Sequence, residues 1–189
     1  DHYDHIVEGL RSRGIPLEKK VLSDCLGAYV VGRDWVLRKF KFPEHPRMII
    51  GINANPDILG ACIGVDENGE DVIFIPQEMF RLLIGSDKET VVEKPITKKN
   101  SEEVICKYTL EQLFEQIGIE ETTHWLAKKG TIEGLTPIND ATPKVIAKDN
   151  AEEYIAQPHE LEALRLYHAY FCEKYGTSPV KQLVDLAKL

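Results

Sequence analysis

The pattern of hydrophobic and polar positions divides the chain into a first part typical of strands and a second part typical of helices. Residues 3–13 have the apolar spacing of a short amphipathic helix, which we expect to end at Gly14. From about residue 26 to residue 76, β-branched and aromatic residues are separated by turn formers, a pattern that predicts strands. Asn68-Gly69 predicts a hairpin, because Gly adopts the positive φ angle of a tight turn. The predicted strands are 28–31, 35–42, 48–52, 58–65 and 72–75.

Helical patterns dominate from residue 77 onward. We predict a helical turn or two over 77–85, a long helix over 109–129, another from Pro158 to Tyr175, and a last helix beginning at Ser178-Pro179. The polar stretch 86–101 predicts a surface excursion, and 134–148 a loop with a short strand at 144–147. The fold class we expect is α+β, in one domain. Its residues 1–76 form an N-terminal helix and a small antiparallel sheet, which packs against the mainly helical residues 77–189.

Composition narrows the classes of partner. The chain has 189 residues, of which 43% are hydrophobic, enough for one domain with a buried core. Its 31 acidic residues outnumber 23 basic ones, so the net charge of −8 disfavours nucleic acid as a partner. A basic group at Arg33, Arg38, Lys39 and Lys41 is interpreted as the solvated face of a strand.

Cysteine usage and hydropathy indicate a cytoplasmic protein. The four cysteines, at positions 25, 62, 106 and 172, lack the spacing of a zinc ribbon or a redox motif, and their apolar neighbours predict buried free thiols. No apolar run approaches the roughly 18 residues that a membrane span needs, and no signal-peptide pattern is present at the start. We therefore expect no membrane partner.

Ionisable residues continue the apolar stripe of the 109–129 helix. Leu110, Phe114 and Ile117 lie on one face, and the same three- and four-residue steps lead to Glu121 and His124, with Glu120 at the edge. A carboxylate buried without a partner costs several kcal/mol, so these groups need a metal, a cation or hydrogen bonds.

The helix that begins at Pro158 has the same feature. Glu160 begins an inward stripe that continues through Leu164 and Tyr167, whereas Glu162 points elsewhere. Two helices that each turn an acid inward predict one polar site between them. His159 stands at the start of this helix, where we expect it to be exposed.

These two segments resemble a known family. Glu120-Glu121-Thr122-Thr123-His124 resembles the active-site helix of HExxH zinc metallopeptidases, and the segment Pro158–Ala163 resembles the glutamate-bearing helix of their gluzincin branch and of ImmA/IrrE-type proteins. The resemblance covers roughly residues 70–176. It implies that Glu120, His124 and Glu160 are metal ligands for Zn²⁺, and that Glu121 is the general base in peptide-bond hydrolysis by metal-activated water.

One position departs from the family pattern. The first ligand is Glu120 where the family has His, and the more anionic set suits harder metals than zinc. Zinc, another divalent metal and no metal at all therefore remain open. The leading hypothesis is a metallopeptidase-like domain whose peptide substrate pairs with a sheet edge.

Two other readings of the same residues remain. One is a non-catalytic binding or regulatory domain that acts on another protein, such as a phage or host-interaction factor. The other is an ordinary interaction domain with a core histidine. It requires that Glu121, His124 and Glu160 not meet in space.

Overall fold

A computed structural model of the chain describes residues 2–53, 60–142 and 150–189. Small sheets pack against helices, so the predicted α+β class is confirmed. The helices are α1 (His2–Ser12), α2 (Lys19–Lys39), α3 (Leu110–Lys128), α4 (Ala151–Ile155), α5 (Pro158–Tyr175) and α6 (Lys181–Ala187), with a 3₁₀ helix over Gln77–Leu83. The strands are β1 (Met48–Gly51), β2 (Cys62–Val65), β3 (Asp71–Pro76), β4 (Val91–Thr97) and β5 (Glu103–Thr109).

The first sheet has three strands in the order β1-β3-β2. The predicted hairpin is present as β2 and β3, and Asp66 closes it by accepting hydrogen bonds from the backbone amides of Asn68 and Glu70. The sheet is mixed where we expected it to be purely antiparallel, since β1 runs parallel to β3. Because β2 already occupies one edge of β3, β1 pairs with the other edge.

The predicted strands 28–31 and 35–42 are wrong. Residues 19–39 form the single helix α2, which buries Leu22, Cys25, Tyr29 and Val36 at helical spacing. Helix propensities of ordinary residues differ by at most about 0.7 kcal/mol, so burial of this face outweighs the β-branched local composition. The basic residues 33, 38 and 39 accordingly lie on a helix and not on a strand face.

The segment 86–101 is also different from the prediction. It contains β4, which forms a two-stranded antiparallel hairpin with β5. Most of β4 is exposed, so its sequence lacks the apolar alternation that identifies a half-buried strand. The last helix begins at Lys181, three residues after the predicted start at Ser178. The predicted strand at 144–147 lies outside the described residues.

Helix α3 occupies the centre of the molecule and touches α2 through glycines. A Cβ atom on Gly118 would lie 2.2 Å from the carbonyl oxygen of Tyr29, and one on Gly32 would lie 2.3 Å from that of Glu115. A side chain at either position is excluded, so the two backbones cross in direct contact. With α5 on another side, α3 has neighbours around most of its circumference. Its polar residues are therefore buried together with its apolar ones.

Two further expectations concern the cysteines and the membrane. Cys25 and Cys106 are buried free thiols, as predicted, but Cys172 is exposed, with its Sγ atom 3.7 Å from Nε2 of His168. Cys172 lies on the solvent side of α5, although its aromatic neighbours in the sequence predict a buried position. Across the described ranges, none of the helices is long and apolar enough to cross a membrane.

Candidate metal centre

Three ionisable side chains are buried where α3 meets the start of α5. Glu121, His124 and Glu160 retain only 6%, 8% and 5% of their accessible surface. Glu121 and His124 lie one helical turn apart on α3, and Glu160 lies in the first turn of α5, where the helix dipole favours a negative charge. The inward direction of all three side chains agrees with the stripes in the sequence.

The imidazole of His124 lies between two carboxylates. Its Nε2 atom is 3.4 Å from Oε1 of Glu160, and its Nδ1 atom is 3.8 Å from Oε2 of Glu121. Each ring nitrogen thus faces a different acid. The hypothesis of an ordinary interaction domain requires that Glu121, His124 and Glu160 lie apart. They lie together, so that requirement is not met.

Glu120, His124 and Glu160 together can hold a metal ion. One potential ligand atom from each residue lies within 4.8 Å of the other two. Glu120 and His124 are four residues apart and so share a helix face. Gln116 donates a hydrogen bond of 3.3 Å to Oε2 of Glu120, which orients that half-buried side chain. Carboxylate oxygen and imidazole nitrogen are ligands of Zn²⁺, Fe²⁺ and Mn²⁺ alike.

Two atoms of the cluster lack hydrogen bonds. Within the part of the chain that the structure describes, neither Nε2 of His124 nor Oε2 of Glu121 has a hydrogen-bond partner, although both atoms are buried. A buried polar atom without a partner costs about 1–3 kcal/mol, more if it is charged. A cation bound next to His124 Nε2 would remove this deficit for the imidazole, so the donor set fits a metal ion.

The acids and the imidazole of this cluster change one another's ionisation. Burial raises the pKa of Glu160 to about 7, against the opposing effect of His124. Burial also raises the pKa of Glu121. For His124, burial lowers the pKa, but the adjacent Glu121 and the other carboxylates outweigh it and raise the value to about 10. One imidazolium thus faces three carboxyl groups, and burial makes two of these, Glu121 and Glu160, harder to ionise.

A cavity of about 470 Å³ opens beside the cluster. His124 and Glu160 line it, together with Tyr154, His159 and Ile63 of β2. Among the described residues that line this cavity, neither Glu120 nor Glu121 is present. A small molecule or a peptide segment can therefore approach two of the three candidate ligands.

Two residues at this cavity were not identified correctly from the sequence. His159, which we expected to be exposed, has only 15% of its side chain exposed, and its Nε2 atom is 3.5 Å from Oε1 of Glu160. Its ring meets that of His124 edge to face, and burial lowers its pKa. Tyr154 lines the cavity together with Glu160 and opposes the rise in the pKa of that acid. It lies on the five-residue helix α4, whose only clear signal in the sequence is its cap, Asn150.

No family model, curated protein or solved structure matches this chain. The metallopeptidase resemblance thus depends on two short motifs and on the proximity of Glu120, His124 and Glu160. The identity of a bound metal and the role of Glu121 stay predictions.

Proposed function

We propose that this domain binds one divalent metal ion through Glu120, His124 and Glu160. The observation that carries the proposal is the buried Nε2 atom of His124, which has no hydrogen bond within the described ranges and faces a carboxylate oxygen at 3.4 Å. Three carboxyl groups converge on one imidazole here. A divalent cation is the simplest partner for that arrangement.

The donor set narrows the choice of metal. Two carboxylates and one imidazole form a harder ligand set than two imidazoles and one carboxylate, so replacing His with Glu120 favours Mn²⁺ and Fe²⁺ relative to Zn²⁺. Zinc still has the higher intrinsic affinity for most such sites. We therefore expect a smaller preference for zinc than an HExxH site has.

The enzymatic function that we propose is metal-dependent hydrolysis of a peptide. A divalent ion held by three protein ligands retains an open position, from which it can polarise a carbonyl group and acidify water. The adjacent cavity, about 470 Å³, is within the usual range for ligand sites. Ile63 of β2, an edge strand of the sheet, lines it, so an extended peptide could align along this strand.

A second candidate function is supported by the position of Glu121. The family resemblance makes this residue the general base, yet it is not among the described residues that line the cavity, and it faces Nδ1 of His124. A domain that binds metal without catalysing hydrolysis is compatible with this arrangement. Such a domain would bind or regulate another protein.

Metal uptake is the decisive experiment for the proposed site. Protein stripped with a chelator is titrated with Zn²⁺, Mn²⁺ and Fe²⁺ by calorimetry, and the bound ion is counted by elemental analysis. We expect one ion per chain, and an affinity loss of at least about 10-fold in the Glu160→Gln variant, which removes a ligand charge.

Glu162→Gln is the matched control for this titration. It is the same substitution two residues further along α5, where the carboxylate accepts a hydrogen bond from the backbone amide of Thr136 instead. Its affinity should equal that of the wild type. If the wild-type chain takes up none of the three ions, the proposed function is wrong.

Hydrolysis is tested separately with metal-loaded protein. The protein is incubated with an unstructured substrate such as casein, and the products are identified by mass spectrometry. Cleavage that disappears with the chelator and in His124→Ala supports the peptidase, whereas metal uptake without cleavage supports the binding domain. Glu120→His creates the two-histidine arrangement, so we expect it to raise the preference for zinc over manganese by roughly 10-fold or more.

A further inference from the structure

We infer that Glu121 is a positioning residue, which fixes the orientation and tautomer of His124, and that it does not transfer protons to substrate. This inference rests on the proposed metal site. It assigns to Glu121 a different role from the general base that the family resemblance implies.

The two ring nitrogens of His124 have separate neighbours. A neutral imidazole binds metal through the nitrogen that carries the lone pair, and its other nitrogen carries the proton. Nε2 faces Glu160, one of the candidate ligands, at 3.4 Å. Nδ1 faces Oε2 of Glu121 at 3.8 Å. The geometry thus makes Nε2 the ligand atom and directs the Nδ1 proton to Glu121.

Glu121 is buried next to His124. Only 6% of its surface is exposed, and its Oε2 atom has no hydrogen bond to any described residue. Burial raises the pKa of Tyr29 on α2 and of Cys62 on β2, and the charge of Glu121 adds to that rise. Among the described residues, Glu121 does not line the cavity that a substrate would enter.

The sequence spacing makes this arrangement stable. Residues 121 and 124 are three apart on one helix, so their side chains are neighbours on its surface whatever happens elsewhere. A carboxylate that accepts the distal N–H of a metal-bound histidine orients the ring and increases its basicity. Removing such a carboxylate typically lowers metal affinity by about 10–100-fold.

The first test compares metal affinities measured by calorimetry with Zn²⁺ and Mn²⁺. Glu121→Ala removes the acceptor and should weaken binding by about 10–100-fold, whereas Glu121→Gln keeps an acceptor oxygen and should retain most of the affinity. A general base of substrate hydrolysis would leave both affinities unchanged. Unchanged affinity in Glu121→Ala therefore overturns the inference.

Glu115→Gln is the control for this comparison. It alters another buried glutamate of α3, about two helical turns away, which makes its hydrogen bonds to α5 residues 170, 174 and 175. We expect this variant to lose stability but to bind metal as tightly as the wild type. A loss of affinity equal to that of Glu121→Ala would mean that any buried carboxylate of α3 has the same effect, and would overturn the inference.

The second test needs no substitution and so does not depend on a variant folding. Long-range ¹⁵N–¹H NMR spectra of zinc-loaded, ¹⁵N-labelled wild-type protein identify which histidine nitrogen carries the proton and which binds metal. We expect His124 to be protonated at Nδ1 and bound at Nε2. Metal at Nδ1 overturns the inference while leaving metal binding intact, whereas no uptake by the wild-type chain overturns both.

Discussion

Helices α3 and α5 bury carboxylates at two places, and the two places differ in how these acids are neutralised. At the first, Glu115 is fully buried and accepts hydrogen bonds from the hydroxyls of Tyr170 and Tyr175 and from Nζ of Lys174. Burial, followed by these bonds, raises the pKa of both tyrosines, which therefore remain donors. We call these four residues the Glu115 network.

At the second place, the hydrogen bonding of the buried groups is incomplete. His124 faces Glu121 and Glu160, and Gln116 donates a hydrogen bond to Glu120. Even so, Nε2 of His124 and Oε2 of Glu121 are buried and have no hydrogen bond within the described ranges. The Glu115 network contains its own cation and is complete without a ligand. At the candidate metal centre the buried polar atoms are not all paired, so it is the region of the two that could hold a metal ion.

The largest effect should follow from removing the acid of the Glu115 network. Glu115→Ala leaves Lys174 and two hydroxyls without their acceptor, and removing one partner of a buried ion pair costs about 3–5 kcal/mol. Lys174 is 40% exposed and regains water, so we expect a loss of about 2–4 kcal/mol. Urea unfolding followed by tryptophan fluorescence measures it. A loss below about 1 kcal/mol would mean that the network contributes little.

Adding metal should have a comparable effect at the other region. A ligand that binds only the folded state at 100 times its dissociation constant stabilises that state by about 2.7 kcal/mol. We therefore expect saturating Mn²⁺ or Zn²⁺ to raise the unfolding temperature relative to chelator-treated protein. The Glu115→Gln variant should keep this gain and His124→Ala should lose it. An equal gain in His124→Ala would place the ion elsewhere.

The sequence predicts the burial of Glu121, His124 and Glu160 better than it predicts the Glu115 network, and the local spacing of these residues explains the difference. Glu121 and His124 continue an apolar stripe on one helix, and Glu160 starts another, so helical periodicity alone indicates that they point inward. The partners of Glu115 lie 55 to 60 residues away on α5. No local pattern links a glutamate to tyrosines at such a separation.

The wrong predictions of secondary structure and exposure also arise from contacts between residues that are far apart in the chain. Helix α2 was predicted as strands because its β-branched and aromatic residues favour strands locally, whereas its close contact with α3 depends on Gly32 and Gly118, which are far apart in the chain. The prediction that His159 is exposed is wrong for the same reason. The cavity that partly buries it is lined by residues of β2 and α4, which the sequence around His159 does not reveal. Burial by distant elements cannot be read from neighbours in the sequence.

The helix crossing can be used to disturb both regions at once, since Gly118 lies between Glu115 and Glu121. Gly118→Ala places a Cβ atom 2.2 Å from the carbonyl oxygen of Tyr29, and such overpacking costs about 1–3 kcal/mol. Metal affinity should fall too, because α3 must shift. Gly9→Ala on α1 is the control, since nothing lies within 4 Å of its Cβ position. Equal stability of the two variants would contradict direct backbone contact.

The smallest expected effect is the change in stability when a glutamate is replaced with glutamine, and its sign should differ between the two regions. Burial raises the pKa of Glu160 from 4.5 to about 7, so the folded chain holds this proton more tightly than the unfolded chain. The contribution of Glu160 to stability therefore decreases as the pH rises through that interval. In metal-free protein, Glu160→Gln should be as stable as the wild type at about pH 5 and more stable than the wild type at about pH 8. Glu115→Gln should be destabilising at both pH values, since it alters an acid that is fully hydrogen-bonded.

If chemical denaturation shows Glu160→Gln to be destabilising by more than about 1 kcal/mol at about pH 8 without metal, Glu160 stabilises the fold as Glu115 does. The two regions would then be equivalent, and the main argument for a metal ion would be lost.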